Sequence, residues 1–120
     1  MTEKTTQEAR NLIEKVYNDK CAEINGHAYH YVSTTHERRL KIFSYMMGIK
    51  NKLAKDDYSF MGTPEWGEIA GLIEKLVSYE DQLISKRKDH WEEEEFSGDY
   101  LKLMLTSLQV ISYPLLRGNQ

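Results

Sequence analysis

Along the first 20 residues, apolar positions recur at helical spacing. Ala9, Leu12, Ile13, Val16 and Tyr17 form one narrow stripe with charges between them, which predicts an amphipathic N-terminal helix over 1–20. Such a stripe serves a first core helix or a helix that docks on another chain. The period then changes to two. Cys21 to Val32 surrounds Asn25-Gly26, a dipeptide that tolerates the positive φ of a type I′ turn, and so predicts a β-hairpin over 21–33. Tyr29 and Tyr31 share one face of its second strand, and Ala28, His30 and Val32 share the other. Two strands alone are marginal in water, so the tyrosine face is expected to seal the second helix.

Helical spacing returns after Thr34-Thr35-His36-Glu37, which reads as a capping box in which Thr34 accepts from the amide near Glu37. The helix that follows carries Leu40, Phe43, Met46 and Met47 as its expected core stripe, and Gly48 weakens its interior or ends its first part. Asp56 to Gly62 reads as a loop. Thr63-Pro64-Glu65 is an N-cap followed by proline at the first helical position. Trp66, Ile69, Ala70, Ile73, Leu76 and Val77 then give a third amphipathic helix. Tyr79 to Lys88 is ambiguous, with Leu83 and Ile84 able to anchor a short helix. The last helix starts near Ser97 or Asp99 and is apolar on most sides through Tyr100, Leu101, Leu103, Met104, Leu105, Leu108 and Ile111, as a central helix or a partner-covered one would be. Pro114 is expected to end it. The expected fold is mainly α within the α+β class, with four or five helices and one N-terminal β-hairpin. No Pro/Gly/Ser linker divides the chain, so it reads as a single domain over 1–120 with a helical core at 34–116.

Composition narrows this reading. The 120 residues are 40% apolar and 29% charged, enough to fold one core and too little for a second domain. Sixteen basic and 19 acidic residues leave a net charge of -3, which disfavours a dedicated nucleic-acid binder. The charge is unevenly placed. Arg38, Arg39, Lys41, Lys50, Lys52 and Lys55 against Glu37 make an excess of about five positive charges, while Asp89, Glu92, Glu93, Glu94, Glu95 and Asp99 make a run of about six negative ones. Cys21 is the sole cysteine, so no internal disulfide is expected. Met1 to Glu8 has no apolar segment of the signal-peptide kind, and no run approaches the roughly 20 apolar residues of a membrane span. A cytoplasmic location without membrane partners is expected.

The chemistry-bearing residues do not form a known active-site pattern. His27, His30, His36 and His90 give neither an H-E-x-x-H pair nor another zinc signature, and three-residue spacing sends His27 and His30 to opposite faces of a strand. No catalytic residue, metal or cofactor is expected. Gly62, Gly67 and Gly71 are scattered rather than gathered into a phosphate loop. Adjacent carboxylates in Glu92–Glu95 point in different directions and make no acid–base pair. Tyr29, Tyr31, Phe43 and Tyr45 beside Arg38, Arg39 and Lys41 could stack on bases, although core packing is the plainer account. Trp91 inside the acidic segment is a packing anchor or a contact residue.

Several pieces together have a family likeness: Ile24-Asn25-Gly26 with Tyr29 entering a hairpin, Thr35-His36 with Arg38-Arg39 and Phe43 opening a helix, the Phe60 to Pro64-Glu65 helix start, and the close Val110-Ile111-Ser112-Tyr113-Pro114. Over roughly residues 21–116 the pattern resembles the tail assembly chaperones of tailed bacteriophages. The resemblance implies a non-enzymatic morphogenesis factor in the host cytoplasm. It would bind the tape measure protein, help tail tube protein polymerise around it, and self-associate as a homo-oligomer. No residue-level motif is carried over, so candidate contacts are read from the residues themselves. They are Arg38 and Arg39, the adaptable Met46-Met47 pair, Trp91, and Leu105 on the over-apolar last helix, with the basic and acidic runs suited to contacts between copies. The alternative is a small phage or bacterial regulator that binds a host protein, or nucleic acid through Arg38, Arg39 and Lys41.

Overall fold

The computed structural model describes residues 3–117. The polar end of the tail, Gly118 to Gln120, lies outside the described residues. Helix α1 (Glu3–Asp19) leads through a left-handed Lys20 into β1 (Cys21–Ile24) and β2 (His27–Tyr31). Asn25 and Gly26 have φ of 51° and 84°, the positive values that a type I′ turn needs. Helix α2 (His36–Gly48) ends at its glycine and is continued after Ile49 by α3 (Lys50–Ala54). A 3₁₀ turn (Ser59–Gly62) precedes α4 (Pro64–Glu74). Thr63 caps α4 by accepting from the Trp66 amide, with Pro64 at the first position as expected.

The strands are not a single N-terminal hairpin. A second hairpin, β3 (Val77–Tyr79) and β4 (Gln82–Leu83), completes a four-stranded antiparallel sheet in the order β1-β2-β3-β4. Val77 therefore belongs to a strand rather than to the third helix, and the ambiguous segment after Tyr79 first turns back as β4 and then forms a short 3₁₀ turn at Ile84–Lys86. Tyr29 stands opposite Tyr79 and Tyr31 opposite Val77, so β2 is an inner strand supplied with its third strand by the same chain. Two further 3₁₀ turns (Ile84–Lys86 and His90–Glu92) and the short α5 (Glu94–Ser97) lead to α6 (Tyr100–Arg117).

Helix α6 is the centre of the packing, touching α1, α2, α4 and β1. Leu103, Met104, Leu108, Val110 and Ile111 are buried along it, as are Ser107 and Ser112. The Tyr31 hydroxyl meets the Ser107 hydroxyl at 2.8 Å. The tyrosine face of the first hairpin thus covers α6 and the His90 turn rather than the second helix. Pro114 lies inside α6 and does not end it; it removes one amide, that owed to the Val110 carbonyl, and the helix runs on for three residues. In α2 the inward stripe is Ile42 and Met46, followed by Ile49, while Leu40 and Met47 face out. The cap of α2 is Thr35, whose hydroxyl accepts from the Arg38 amide at 3.2 Å, one residue later than the capping box predicts. The Thr34 hydroxyl is left enclosed and without a partner.

Candidate functional site

The densest polar chemistry lies where the first hairpin meets the start of α6. Asp99 immediately precedes α6, and its carbonyl accepts the helix's first amide bond, from Leu103. That is the N-cap position, but the side chain turns to the hairpin. Its carboxylate is fully buried. Oδ1 accepts from the Asn25 side-chain amide at 2.8 Å, and Oδ2 accepts from the Tyr29 hydroxyl at 2.7 Å and from His27 Nδ1 at 2.6 Å. Strand alternation explains the convergence, because His27 and Tyr29 are two apart on one face and Asn25 is held at the turn beside them.

The network continues from Tyr29 to His90, which is also buried. Arg87 Nε can only donate, so the His90 Nδ1 at 3.2 Å is the acceptor and the neutral ring carries its proton on Nε2. Nε2 lies 3.0 Å from the Tyr29 oxygen and donates to it, leaving the Tyr29 hydroxyl to donate to Asp99. Every bond in the chain Arg87–His90–Tyr29–Asp99 therefore runs in one direction. Aromatic rings enclose it. His90 stacks on Phe96 at 4.3 Å between centroids, and Tyr79 contacts His27, Tyr29, His90 and Phe96.

The surroundings set the charge states. The hydrogen bond to Asp99 raises the His27 pKa above its ordinary 6.5, with Glu95 Oε1 at 3.3 Å from Nε2 adding to it. Burial lowers that of His90, and the Arg87 charge lowers it further. For Asp99, burial alone would raise the pKa; the hydrogen bonds from Tyr29, Asn25 and His27 outweigh it and hold the carboxyl below 3.8. Burial and the bond to Asp99 push the Tyr29 hydroxyl far up, so it stays protonated. The shifts thus favour the cationic form of His27 against the ionised form of Asp99, and the neutral form of His90.

No family model matches the chain, and no curated protein and no solved structure matches it. Both ring nitrogens of His90 and both oxygens of Asp99 are held in hydrogen bonds within the protein, an arrangement that ties three distant segments together. An open cavity of about 400 Å³ beside it is lined by cations (Lys86, Arg87, Lys88) and acids (Asp89, Glu93) alike. Among the described residues no three metal-ligating side chains converge, and no helix is long and apolar enough to cross a membrane.

The residues singled out from the sequence are scattered. Met46 is only 6% exposed and faces the core, so of the Met46-Met47 pair only Met47 is open to a partner. Arg38 is exposed, while Arg39 is half-buried and donates from Nε to the Ile111 carbonyl at 3.2 Å. Trp91 is half-buried, donating to Glu74 Oε2 at 3.0 Å and standing edge-on to Tyr100. Leu105 is half-buried against the core. Tyr29 and Tyr31 are buried, so they offer no face for stacking on bases, and Lys41 is paired with Glu68. The polar cluster itself was not anticipated. Its one sequence signal is an acidic residue, Asp99, at the N-cap of an apolar helix.

Proposed function

We propose that this chain is a non-catalytic assembly factor of the tail assembly chaperone kind. It acts in the host cytoplasm and binds the helical tape measure protein through apolar side chains left on the surface of α2. The observation that carries the reading is the row Leu40, Phe43 and Met47. Helix α2 already fills the core with Ile42 and Met46, yet Leu40 and Met47 remain 44% and 38% exposed with half-buried Phe43 between them. Apolar side chains at i, i+3 and i+7 are what a partner helix reads. Leu12 on α1, at 65% exposed, is a second apolar contact of the same kind. The non-catalytic part is supported by the closed polar network, whose histidine and carboxylate are spent on holding the hairpin to α6.

The test is capture of a purified helical fragment of a tape measure protein, with oligomeric state followed by light scattering. Wild-type protein is expected to self-associate and retain the fragment. Leu40→Gln combined with Met47→Gln is expected to weaken capture by tenfold or more without changing the melting temperature. A strict monomer with no affinity for the fragment overturns the reading.

A further inference from the structure

A second cleft, of about 260 Å³, lies where α1, the β2–α2 connection, α2 and α6 meet. Its walls are mixed, with apolar surface from Tyr17, Val110 and Ile111 and polar surface from Ser33 and Thr34, and its two charged lining residues, Lys20 and Arg39, are both cations. Neither forms an ion pair among the described residues. The Lys20 ammonium rests over the Tyr17 ring at 5.2 Å. Among the described residues Arg39 uses only Nε, on the Ile111 carbonyl, which fixes the guanidinium and leaves its terminal N–H groups unspent there. Thr34, also on the wall, carries the enclosed hydroxyl that has no partner. Most buried polar groups in folded proteins are paired, so an unpartnered hydroxyl beside two unpaired cations marks a place prepared for an acceptor. The volume lies below the roughly 300–1,000 Å³ of small-molecule pockets and suits one side chain.

We infer that this cleft receives a single acidic side chain from an apolar segment of the protein partner. The carboxylate sits between Lys20 and the free edge of Arg39, its aliphatic stem lies on Val110 and Ile111, and a χ1 rotation brings the Thr34 hydroxyl to it. This deepens the partner-binding reading and rests on it. A planar guanidinium anchored at Nε offers the paired donors that a carboxylate fits. The other cationic hollow, beside His90, carries Asp89 and Glu93 of its own and lacks this one-signed lining.

The probe is the blocked peptide N-acetyl-Leu-Glu-Leu-amide, titrated into the full ¹⁵N-labelled chain by NMR, with N-acetyl-Leu-Gln-Leu-amide and inorganic phosphate as comparators. The expected result is saturable shifts at Lys20, Thr34 and Arg39 with the Glu peptide, weakened at least fivefold by raised salt and at least tenfold with the Gln peptide. Thr34→Val removes a hydroxyl that bonds to nothing among the described residues, and Lys20→Asn keeps a residue that tolerates the left-handed φ of 53°. Each is expected to leave the melting temperature unchanged or higher and to weaken the Glu peptide by about fivefold or more. Equal binding of the two peptides, phosphate binding more tightly than the Glu peptide, or full affinity in both variants overturns the inference. If it falls while the α2 variants still lose the tape measure fragment, the proposed function stands without this cleft.

Discussion

The two hairpins of the sheet close in opposite ways. The first turns on Asn25 and Gly26, residues suited to positive φ, and its turn side chain also enters the protein, because Asn25 donates to Asp99 and to the Gly98 carbonyl. The second turns on Glu80 and Asp81, with φ of 50° and 65°, a conformation that Asp tolerates but that costs an ordinary side chain such as Glu80 about 1–2 kcal/mol. Its hold comes from neighbours: Tyr79 lies among four rings, Ile84 is buried just past β4, and the Arg87 guanidinium lies over the Tyr79 ring at 5.1 Å. One hairpin is favourable locally and is fixed by directed hydrogen bonds. The other is strained locally and is tolerated because the packing around it is already in place.

The sharpest way to break this contrast is at Asp99. Asp99→Ala removes the acceptor shared by His27, the Tyr29 hydroxyl and the Asn25 amide in a site built around a carboxylate. A loss of about 3–5 kcal/mol is expected, as for other broken buried pairs, measured as the shift of a urea unfolding curve. Glu80→Ala or Asp81→Ala, both at exposed positions, is expected to cost under about 1 kcal/mol. Comparable losses at both turns would erase the distinction between the hairpins.

A finer comparison uses two tyrosines that face each other across the sheet. Tyr29→Phe removes a hydroxyl that accepts from His90 and donates to Asp99, so it is expected to cost about 1–3 kcal/mol. The Tyr79 hydroxyl makes no hydrogen bond among the described residues, although its ring is packed. Tyr79→Phe is therefore expected to fall within about 0.5 kcal/mol of wild type. Thermal melts of the two variants side by side decide whether the network, rather than ring burial, carries the difference.

What was legible in the sequence follows the same division. Asn25-Gly26 and Thr63-Pro64 announce themselves because their chemistry suits the local backbone. Glu80-Asp81 does not, since Glu disfavours positive φ and only Asp81 is of a type that tolerates it, and the segment around it reads as ambiguous. In α2 the residues Leu40, Phe43 and Met47 and the residues Ile42, Met46 and Ile49 both recur at helical spacing, so periodicity alone could not decide which stripe faces in. Pro114 misled because a proline near a helix end removes only one amide. The mainly helical class was readable, since three of the four long helices carry a periodic stripe and the last is a long apolar run up to Pro114. The site was not, because Asn25, His27 and Tyr29 lie more than 60 positions from their partners His90 and Asp99, and no local pattern links them. The same strain offers a constructive test. Glu80→Asn with Asp81→Gly gives the second turn the residues of the first, and a gain of about 1–2 kcal/mol is expected from relieved backbone strain. No gain would mean that Glu80 and Asp81 contribute compensating contacts, such as the 4.0 Å approach of Glu80 to Arg87.

The smallest effect expected is a dependence of stability on pH, and its shape reports which histidine belongs to which partner. His27 binds its proton more tightly in the folded protein than its ordinary 6.5. Its stabilisation is therefore fully present below pH 6.5 and is lost as pH rises through the raised value. His90 has a lowered pKa. Between that value and 6.5 the unfolded chain takes up a proton that the fold refuses, so stability falls as pH drops through this window. Asp99 adds a further loss only as pH falls through its own lowered value, below 3.8. The two histidines thus put a stability maximum near pH 6.5. His27→Gln is expected to remove the alkaline decline and keep the decline between 6.5 and the His90 value, and His90→Gln to do the reverse. Urea midpoints from pH 5 to 8 for the three proteins check this. If His27→Gln left the alkaline limb in place, the group that binds its proton more tightly in the fold would not be His27, and the cation against Asp99 would have to be sought elsewhere.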